Sequence, residues 1–265
     1  MERIEPQVFF IGETKIRRNG MNAYLEAKGV PDWHTNAPSD AEELIEVFGR
    51  GCYQSFGTGL NPNISRVRKG NKTYLTNILN SAHGSVGEHP VANFMIVGAS
   101  RVFTHELVRH RVGTAFSQES LRYVVPTDLK QWLPDCFMQE GAEPIQEIFA
   151  DAFEKATINY EEVLKYVAAI EGVEDFQDLP FAKKKEYTSA TRRLLPIGLG
   201  TDIGFSVNLR AVRHIIEMRT DEHAEAEIRL IFSKIATELR DEYPNWLGDY
   251  EIRNGAWLPE TIRKV

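Results

Sequence analysis

A long amphipathic helix is the sequence feature that most restricts the fold. Over residues 144–171, apolar residues recur at spacings of three and four, which is the period of one face of an α-helix. This face consists of Ile145, Ile148, Phe149, Ala152, Phe153, Ala156 and Tyr160. The sequence therefore predicts a helix-rich globular protein in which this face is buried.

Shorter patterns predict the remaining elements. Apolar, partly β-branched stretches predict strands at residues 9–10, 91–99, 121–125 and 205–207, with residues 114–126 otherwise a loop. Helical spacing and capping residues predict helices over residues 41–55, 71–82, 100–111, 181–194, 208–218 and 221–240, with Ser39, Ser100 and Asn208 at helix starts. We predict an α/β (α+β) fold: one helix-rich domain over residues 1–265 with a small mixed or antiparallel sheet.

The charge balance and composition exclude several classes of function. The chain has 31 Lys and Arg against 38 Asp and Glu, a net charge of −7, and so lacks the broad positive field that duplex nucleic acid requires. It has no apolar run of about 18 residues, and residues 1–10 do not resemble a signal peptide. The chain has only two cysteines, Cys52 and Cys136, and so few thiols favour a reducing, cytoplasmic location without a disulfide framework. Both are expected to be buried thiols.

The most informative polar motif is Arg109-His110-Arg111, followed by Ser120 and Arg122. Adjacent guanidinium groups repel one another, and a chain that keeps them together usually binds an anion, because the planar fork of arginine matches phosphate and carboxylate oxygens. A solvated basic face is the alternative. Since the chain as a whole is acidic, a local site for a small anion is the better prediction.

Two histidine-containing segments precede or overlap this motif. The segment HGSVGEH, residues 83–89, has glycines that let backbone N–H groups approach a ligand, although a polar turn is the alternative. His105 and His110 resemble the zinc motif H-E-x-x-H, but Arg109 occupies the position of the second histidine. On one continuous helix His110 would lie about 140° from His105, so we predict no zinc site there.

A second arginine set lies in the C-terminal half. Arg192 precedes Asn208 and Arg210, which stand at a predicted helix start, where anions are favoured. Arg219 follows about three turns later, on the same predicted helix face. A charged helix face is the alternative, but two such sets suggest an active site built from distant segments.

A metal-dependent hydrolase is a further alternative. His83, His89, Asp221 and His223 supply ligand types, although no pair of them has a strong metal-ligand spacing. On a continuous helix, His223 would also lie one turn from Glu227 and could hydrogen-bond to it.

Taken together, residues 83–89, 109–123 and 192–227 resemble the flavin-dependent thymidylate synthase family. The patterns RHR…S-x-R-Y and N-x-R…R-x-D-x-H-A-x-x-E, in this order, carry the resemblance. It implies methylation of dUMP to dTMP, with methylenetetrahydrofolate as carbon donor and a hydride from FAD that NADPH has reduced. It also implies a homotetramer with shared active sites, and a uridine monophosphate nucleotide and folate as partners. The charge, hydropathy and ligand spacing described above predict no nucleic acid, membrane or metal partner.

The resemblance assigns a role to each matched residue. The residues with catalytic roles are Arg219, Arg109 and His83, the last near flavin and folate. The nucleotide-side residues are Glu106, Arg109, Gln118, Ser120, Arg122, Arg192 and Arg219. The flavin-side residues are Ser85, Glu88, Arg109, His110, Arg111, Asn208, Arg210, His214 and His223. Glu106 stands where relatives often have glutamine, and His214 stands where a flavin-side asparagine can occur.

The chain departs from the family pattern in the loop that joins the flavin-side residues of the RHR motif to the nucleotide-side residues around Ser120. Eight residues, 112–119, separate RHR from Ser120, where the family pattern has seven. The extra residue would be absorbed as a bulge or would reshape the sugar or base pocket. Some relatives methylate UMP in nucleoside antibiotic pathways, so UMP is an alternative substrate. A metal-dependent nucleotide phosphohydrolase and a non-catalytic nucleotide or RNA-binding protein are two further interpretations of the same residues.

Overall fold

A computed structural model describes residues 4–124 and 130–260. Over these residues the α-helices are α1 (Arg18–Ala27), α2 (Asp40–Tyr53), α3 (Asn71–Asn80), α4 (Arg101–Leu107), α5 (Glu143–Glu171), α6 (Phe181–Thr191), α7 (Leu209–Arg219) and α8 (Ala226–Glu242). The strands are β1 (Gln7–Glu13), β2 (Val91–Ser100), β3 (Thr114–Gln118), β4 (Gly200–Asn208), β5 (Tyr250–Arg253) and β6 (Ala256–Pro259). Short 3₁₀ turns occupy Gly84–Glu88, Asp135–Phe137, Phe176–Asp178 and Arg192–Leu194. Within the described ranges, no helix has the length and apolar character needed to cross a membrane.

The strands form two small sheets, and the predicted α+β class is confirmed. The larger sheet has the order β1-β2-β4-β3, and β5 pairs with β6 in an antiparallel hairpin in which Tyr250 faces Pro259. In β4 the burial alternates strictly, with Ile203, Phe205 and Val207 buried and their neighbours half-buried. This alternation is the two-residue period of a strand with one buried face.

Three predicted helix starts are confirmed by their capping contacts. The Ser39 hydroxyl accepts a hydrogen bond from the Glu42 N–H at 3.2 Å, and Ser100 accepts one from the Phe103 N–H at 3.2 Å. The Asn208 side chain accepts one from the Ala211 N–H at 2.7 Å. Each contact satisfies a backbone donor that has no partner inside the helix.

The long helix α5 is confirmed, but its buried face is narrower than predicted. Phe153, Ala156 and Tyr160 are buried, whereas Ile148 is 68% exposed and Ile145 is 39% exposed. The helix stops at Gly172, whose φ of 73° is the left-handed conformation that favours glycine. Its first turns therefore carry apolar side chains that the described residues of one chain leave open to solvent.

The described chain divides into two compact units, which we call unit 1 and unit 2. Unit 1 comprises residues 4–7, 96–109, 116–124 and 130–204, and unit 2 comprises residues 8–95, 110–115 and 205–260. In unit 1, α5 packs through Phe153 against Leu121 and Leu199. In unit 2, the ring of Phe205 lies 6.3 Å from that of Phe94 and 6.1 Å from that of Phe232 on α8.

Several local predictions are wrong. Helix α1 lies in a segment predicted to be a loop, and β3 occupies most of another predicted loop. Residues 121–123 form a turn rather than the start of a strand, and the rest of that prediction, at Val125, lies outside the described residues. Cys52 and Cys136 are exposed, not buried, and both thiols are free.

Candidate functional site

The segment at residues 83–89 forms a 3₁₀ turn with a buried and an exposed side. Val86 and Gly87 face inward, while the side chains of Ser85 and Glu88 are exposed. A Cβ atom added at Gly87 would lie 2.4 Å from Cζ2 of Trp246, so the indole occupies the space that any larger residue would need. The turn therefore rests on Trp246 and presents its polar side chains outward.

His83, at the start of this turn, is held by an aromatic partner. Its Nδ1 lies 3.0 Å from the hydroxyl of Tyr53, and the two rings stack with centroids 5.7 Å apart. Tyr53 is the last residue of α2. Sequence reasoning missed this residue, because nothing in the local pattern links positions 30 residues apart.

The RHR segment is tied to the start of α7. The backbone N–H of Asn208 donates to the carbonyl oxygen of Gly113 at 2.8 Å. Gly113 has a φ of 72°, and a Cβ there would lie 2.3 Å from Nδ2 of Asn208, so both conformation and space require glycine. On the next residues of α7, Arg210 forms an ion pair with Glu88 of the 3₁₀ turn. His214, one turn further along α7, is exposed.

His110 and Arg219 form the most distinctive contact of unit 2. Nε of Arg219 donates to Nε2 of His110 at 2.7 Å. Arginine has no acceptor and keeps its proton, so Nε2 of His110 must be unprotonated and its proton lies on Nδ1. Burial, followed by the positive charges of Arg219 and His214, lowers the pKa of His110 from 6.5 to about 4. The imidazole is therefore neutral near pH 7.

We expect nuclear magnetic resonance of the His110 ring nitrogens to report the neutral Nδ1–H tautomer at pH 7 and a midpoint near pH 4. Because the pKa in the folded state lies below the ordinary value, the unfolded chain takes up this proton first as the pH falls. The contribution of His110 to folding stability is therefore complete above pH 6.5 and is lost as the pH falls towards 4. In Arg219→Gln the midpoint should rise. A wild-type His110 that is cationic at pH 6 would contradict this assignment.

Two predicted flavin-side residues make no specific contact with the others. Arg111 is exposed in the segment before β3. His223 lies between α7 and α8 with its side chain 88% exposed, and its Nε2 is 3.7 Å from a carboxylate oxygen of Glu222. The prediction that α8 begins at Asp221 is wrong, because Glu225 caps the helix by accepting from the N–H groups of its first turn. His223 and Glu227 consequently do not share a helix.

In unit 1, the nucleotide-side residues at the end of β3 and just after it contact hydroxyl groups. Gln118 donates through Nε2 to the Thr104 hydroxyl at 3.1 Å. Nε of Arg122 donates to the Ser189 hydroxyl at 3.1 Å, and the Thr188 hydroxyl donates to the Arg122 carbonyl at 2.8 Å. Ser120 accepts from the Arg122 N–H at 3.4 Å. Arg122 is thus positioned from α6, a contribution that sequence reasoning missed.

The other nucleotide-side residues of unit 1 lie near helix ends. Arg109 and Arg192 are exposed, the first in the turn after α4 and the second in the 3₁₀ turn after α6. Glu106 is half-buried on α4. The prediction that this helix continues through Arg111 is wrong, because α4 ends at Leu107.

The extra residue between RHR and Ser120 is not taken up as a bulge in the pairing of β3 with β4. Gly113 pairs with Asn208, and the Glu119 N–H donates to the Asp202 carbonyl at 2.9 Å. Gly113 and Glu119 are six positions apart, and so are their partners Asp202 and Asn208 on the other side of the pairing. Equal spans leave no unpaired residue between the two contacts.

The histidines proposed as metal ligands are engaged in other ways. His89 stacks on Phe48 with ring centroids 3.8 Å apart, just as His83 stacks on Tyr53. His105 and His110 do not lie on one continuous helix, because α4 ends at Leu107, so the helical angle of about 140° between them does not apply. In the part of the chain that the structure describes, no group of three or more His, Cys, Asp or Glu side chains is arranged to hold a metal ion.

A cavity beside the 3₁₀ turn matches the chemistry of a flavin nucleotide. Its volume is about 230 Å³, and its lining includes Tyr53, His83, Ser85 and Arg210. Flat aromatic rings, a hydroxyl and a guanidinium are suited to a planar heterocycle with a phosphate tail. The residues present therefore fit part of a flavin dinucleotide.

Comparison with known proteins agrees with this chemistry. A family model described as thymidylate synthase complementing protein matches residues 34–245. A flavin-dependent thymidylate synthase from Mycobacterium sp. (strain KMS) is 36% identical over 245 residues, covering 91% of this chain and 93% of the relative. The same description applies to a protein from Mycobacterium tuberculosis (strain ATCC 25177 / H37Ra), 36% identical over 231 residues and 86% of each chain. With both the RHR segment and α7 inside the matched region, the chain belongs to the flavin-dependent thymidylate synthase family.

Proposed function

We propose that this chain methylates C5 of a uridine monophosphate, converting dUMP to dTMP with methylenetetrahydrofolate as the carbon donor. The observation that carries the proposal is the contact between the two halves of the family pattern. Arg219 bonds to His110 across 109 positions of sequence, and Asn208 bonds to Gly113 beside it. Residues 110–113, which begin inside the RHR motif, thus meet residues 208–219 of the second arginine set within unit 2.

The nucleotide is proposed to bind through the arginines and hydroxyls of unit 1. Arg109, Arg122 and Arg192 supply guanidinium groups for the phosphate, and Gln118 and Ser120 supply neutral polar groups for the sugar and base. The Ser189 and Thr188 contacts fix Arg122 before the ligand arrives. A positioned arginine loses less conformational freedom on binding, which favours affinity.

The flavin is proposed to be FAD, held by unit 2. The residues of unit 2 that would hold it are Ser85, Glu88, His110, Arg111, Asn208, Arg210, His214 and His223. The resemblance to the family also assigns Arg109, the first residue of the RHR motif, to the flavin. Bound FAD, once reduced by NADPH, supplies the hydride that completes the methyl group. The ion pair with Glu88 restrains Arg210, whose side chain lines the cavity.

Arg219 is proposed to stabilise negative charge that develops on the uracil ring as its C5 attacks the one-carbon unit. A guanidinium near a ring carbonyl oxygen lowers the free energy of that charge. The bond from its Nε to the neutral His110 fixes the plane of the guanidinium. His110 therefore acts through Arg219 as a positioning residue.

The whole chain is proposed to act as one catalytic domain within a homotetramer. Ile148, Tyr166 and Ile170 of α5 are each at least 68% exposed, and their spacing puts them on one face of the helix. A second copy would bury this apolar face. The 230 Å³ cavity is also smaller than the roughly 300–1,000 Å³ of typical ligand sites, in agreement with a site completed by another subunit.

We expect the purified protein to carry FAD and to be yellow, and anaerobic NADPH to bleach its flavin absorbance. Incubation with NADPH, methylenetetrahydrofolate and dUMP should then yield a product about 14 mass units heavier, as one CH₂ is added. Parallel incubation with UMP in place of dUMP measures whether the enzyme prefers the deoxyribonucleotide or the ribonucleotide. Colourless protein that takes up no FAD on reconstitution, or bleached protein that alters neither nucleotide, would contradict the proposal.

A further inference from the structure

A second cavity, with a positively charged lining, lies next to the flavin-side cavity. It has a volume of about 280 Å³ and is lined by residues of α2, α3, the loop between them and the segment that follows α3. Its lining includes Arg66 and Arg68 from the loop, together with the polar residues Asn77 and Ser81. Among the residues that the structure describes, no Asp or Glu contributes to the lining. In a chain with a net charge of −7, this is a local concentration of positive charge.

The loop that forms this cavity is fixed by a buried arginine. The Arg50 guanidinium, 3% exposed, donates to the carbonyl oxygen of Ser55 at 2.9 Å and to that of Arg68 at 2.8 Å. Its own charge is compensated by Glu46 at 2.7 Å. Arg50 thus pins both ends of the loop, so the cavity is preformed.

The side chains of Arg66 and Arg68, unlike that of Arg50, are available to bind a ligand. Both are exposed, and neither guanidinium has a hydrogen bond or ion pair to any residue in the described ranges. Two guanidinium groups held two positions apart on a fixed loop repel one another, and a bound anion removes that repulsion. The cavity therefore suits a ligand group with one or more negative charges.

The two cavities share the stacked pair Tyr53 and His83 as a common wall. On one side of the pair lie Ser85 and Arg210, and on the other lies the basic loop. A ligand with a flat head and a flexible charged tail can contact both sides at once. The basic cavity alone is near the lower limit of about 300 Å³ for a small-molecule site, so it suits a tail better than a whole nucleotide.

We propose that the cavity around Arg66 and Arg68 binds the anionic tail of a co-substrate whose head lies beyond the Tyr53–His83 pair. This inference rests on the proposed function, which supplies two such co-substrates. The shared chemistry is an oxyanion on a flexible tail. It comes either from the γ-glutamyl carboxylates of methylenetetrahydrofolate or from the 2′-phosphate of NADPH.

The test uses the double variant Arg66→Gln/Arg68→Gln, with Arg253→Gln as the matched control. Arg253 is an exposed arginine of β5 that does not line the cavity. Calorimetric titration of the FAD-loaded proteins with γ-linked triglutamate and with pyrophosphate measures the anion site directly. We expect at least one probe to bind the double variant about 10-fold more weakly, because each exposed ion pair contributes modestly. The control should bind like wild type.

Steady-state kinetics then identify the source of the tail. If the folate supplies it, the KM advantage of tetraglutamylated over monoglutamylated methylenetetrahydrofolate will disappear in the double variant. If the dinucleotide supplies it, the KM advantage of NADPH over NADH will disappear instead. In either case kcat at saturation should be retained, since the tail lies away from the reacting atoms.

Unchanged binding of both probes together with unchanged KM ratios would overturn the inference while leaving the methylation activity in place. Conversely, loss of probe binding in the double variant of a protein that methylates no nucleotide would support the anion site and contradict only the proposed function. The two failures are therefore distinguishable.

Discussion

Replacing Arg219 with alanine is expected to reduce the rate of dUMP methylation by at least about 10²–10³-fold while leaving the flavin bound. Removal of one preorganised donor to a developing oxyanion has effects of this size. Arg219 is the last residue of α7, where a change to alanine does not interrupt the helix. Single-turnover measurement of methyl transfer, beside the flavin absorbance spectrum of the same preparation, checks both parts of the prediction.

Two further variants separate the possible reasons for such a loss. Arg219→Lys keeps a positive charge but lacks the Nε–H that bonds to His110, so partial activity would assign the remaining effect to orientation. Arg253→Ala removes an exposed arginine of β5 and should leave activity unchanged. Full activity of Arg219→Ala would show that its proposed role is wrong, whereas loss of flavin colour would point to a structural role in unit 2.

The parts of the fold that the sequence predicted are those determined locally. The caps at Ser39, Ser100 and Asn208 depend on a side chain and a backbone N–H three residues later, and all three formed as expected. The helical spacing of apolar residues over 144–171 likewise predicted α5 over nearly its full length. Local periodicity could not say which apolar residues of α5 would be covered, because that depends on the elements packed against it.

The features that escaped prediction depend on partners distant in the sequence. The apolar spacing of Phe103 and Leu107 suggested a helix continuing through the RHR motif, but the chain leaves the helix and Gly113 pairs with Asn208. No local sequence pattern predicts the contact of His110 with Arg219, because the two residues are 109 positions apart.

The roles of the site residues came from the resemblance to the family rather than from such patterns. The reason why position 87 requires glycine was also not predicted from the sequence. Its place in a polar turn suggested a glycine needed for backbone freedom or close approach to a ligand, whereas its structural requirement is room for an indole from the C-terminal part of the chain.

Replacing Gly87 with alanine is accordingly expected to lower the free energy of unfolding by about 1–3 kcal/mol, the usual cost of forcing an extra methyl into a packed core. The same change should weaken FAD binding by at least about 10-fold, because the displaced 3₁₀ turn carries Ser85 and Glu88. The new Cβ would lie 2.4 Å from Cζ2 of Trp246, a ring that is fully buried. Chemical denaturation and flavin titration measure the two effects.

Trp246 has little freedom to move aside. Its indole N–H donates to the Leu209 carbonyl at 3.0 Å, and its backbone N–H donates to the buried carboxylate of Glu42 at 2.9 Å. The strain of Gly87→Ala must therefore be relieved by the 3₁₀ turn or by the start of α7, where Leu209 lies. Both of these segments carry proposed flavin contacts, so a loss of stability and a loss of flavin affinity should occur together.

A double-mutant cycle distinguishes this steric explanation from a general sensitivity of the turn. Trp246→Phe removes the atoms that meet the new methyl group, although it also loses the bond to Leu209. If the clash is the cause, Gly87→Ala/Trp246→Phe will be more stable than the sum of the single changes by about 1 kcal/mol or more. Gly20→Ala adds the same methyl in α1 with no atom within 4 Å, and should be neutral or stabilising. Additive effects of the two site substitutions would mean that Trp246 does not set the position of the turn.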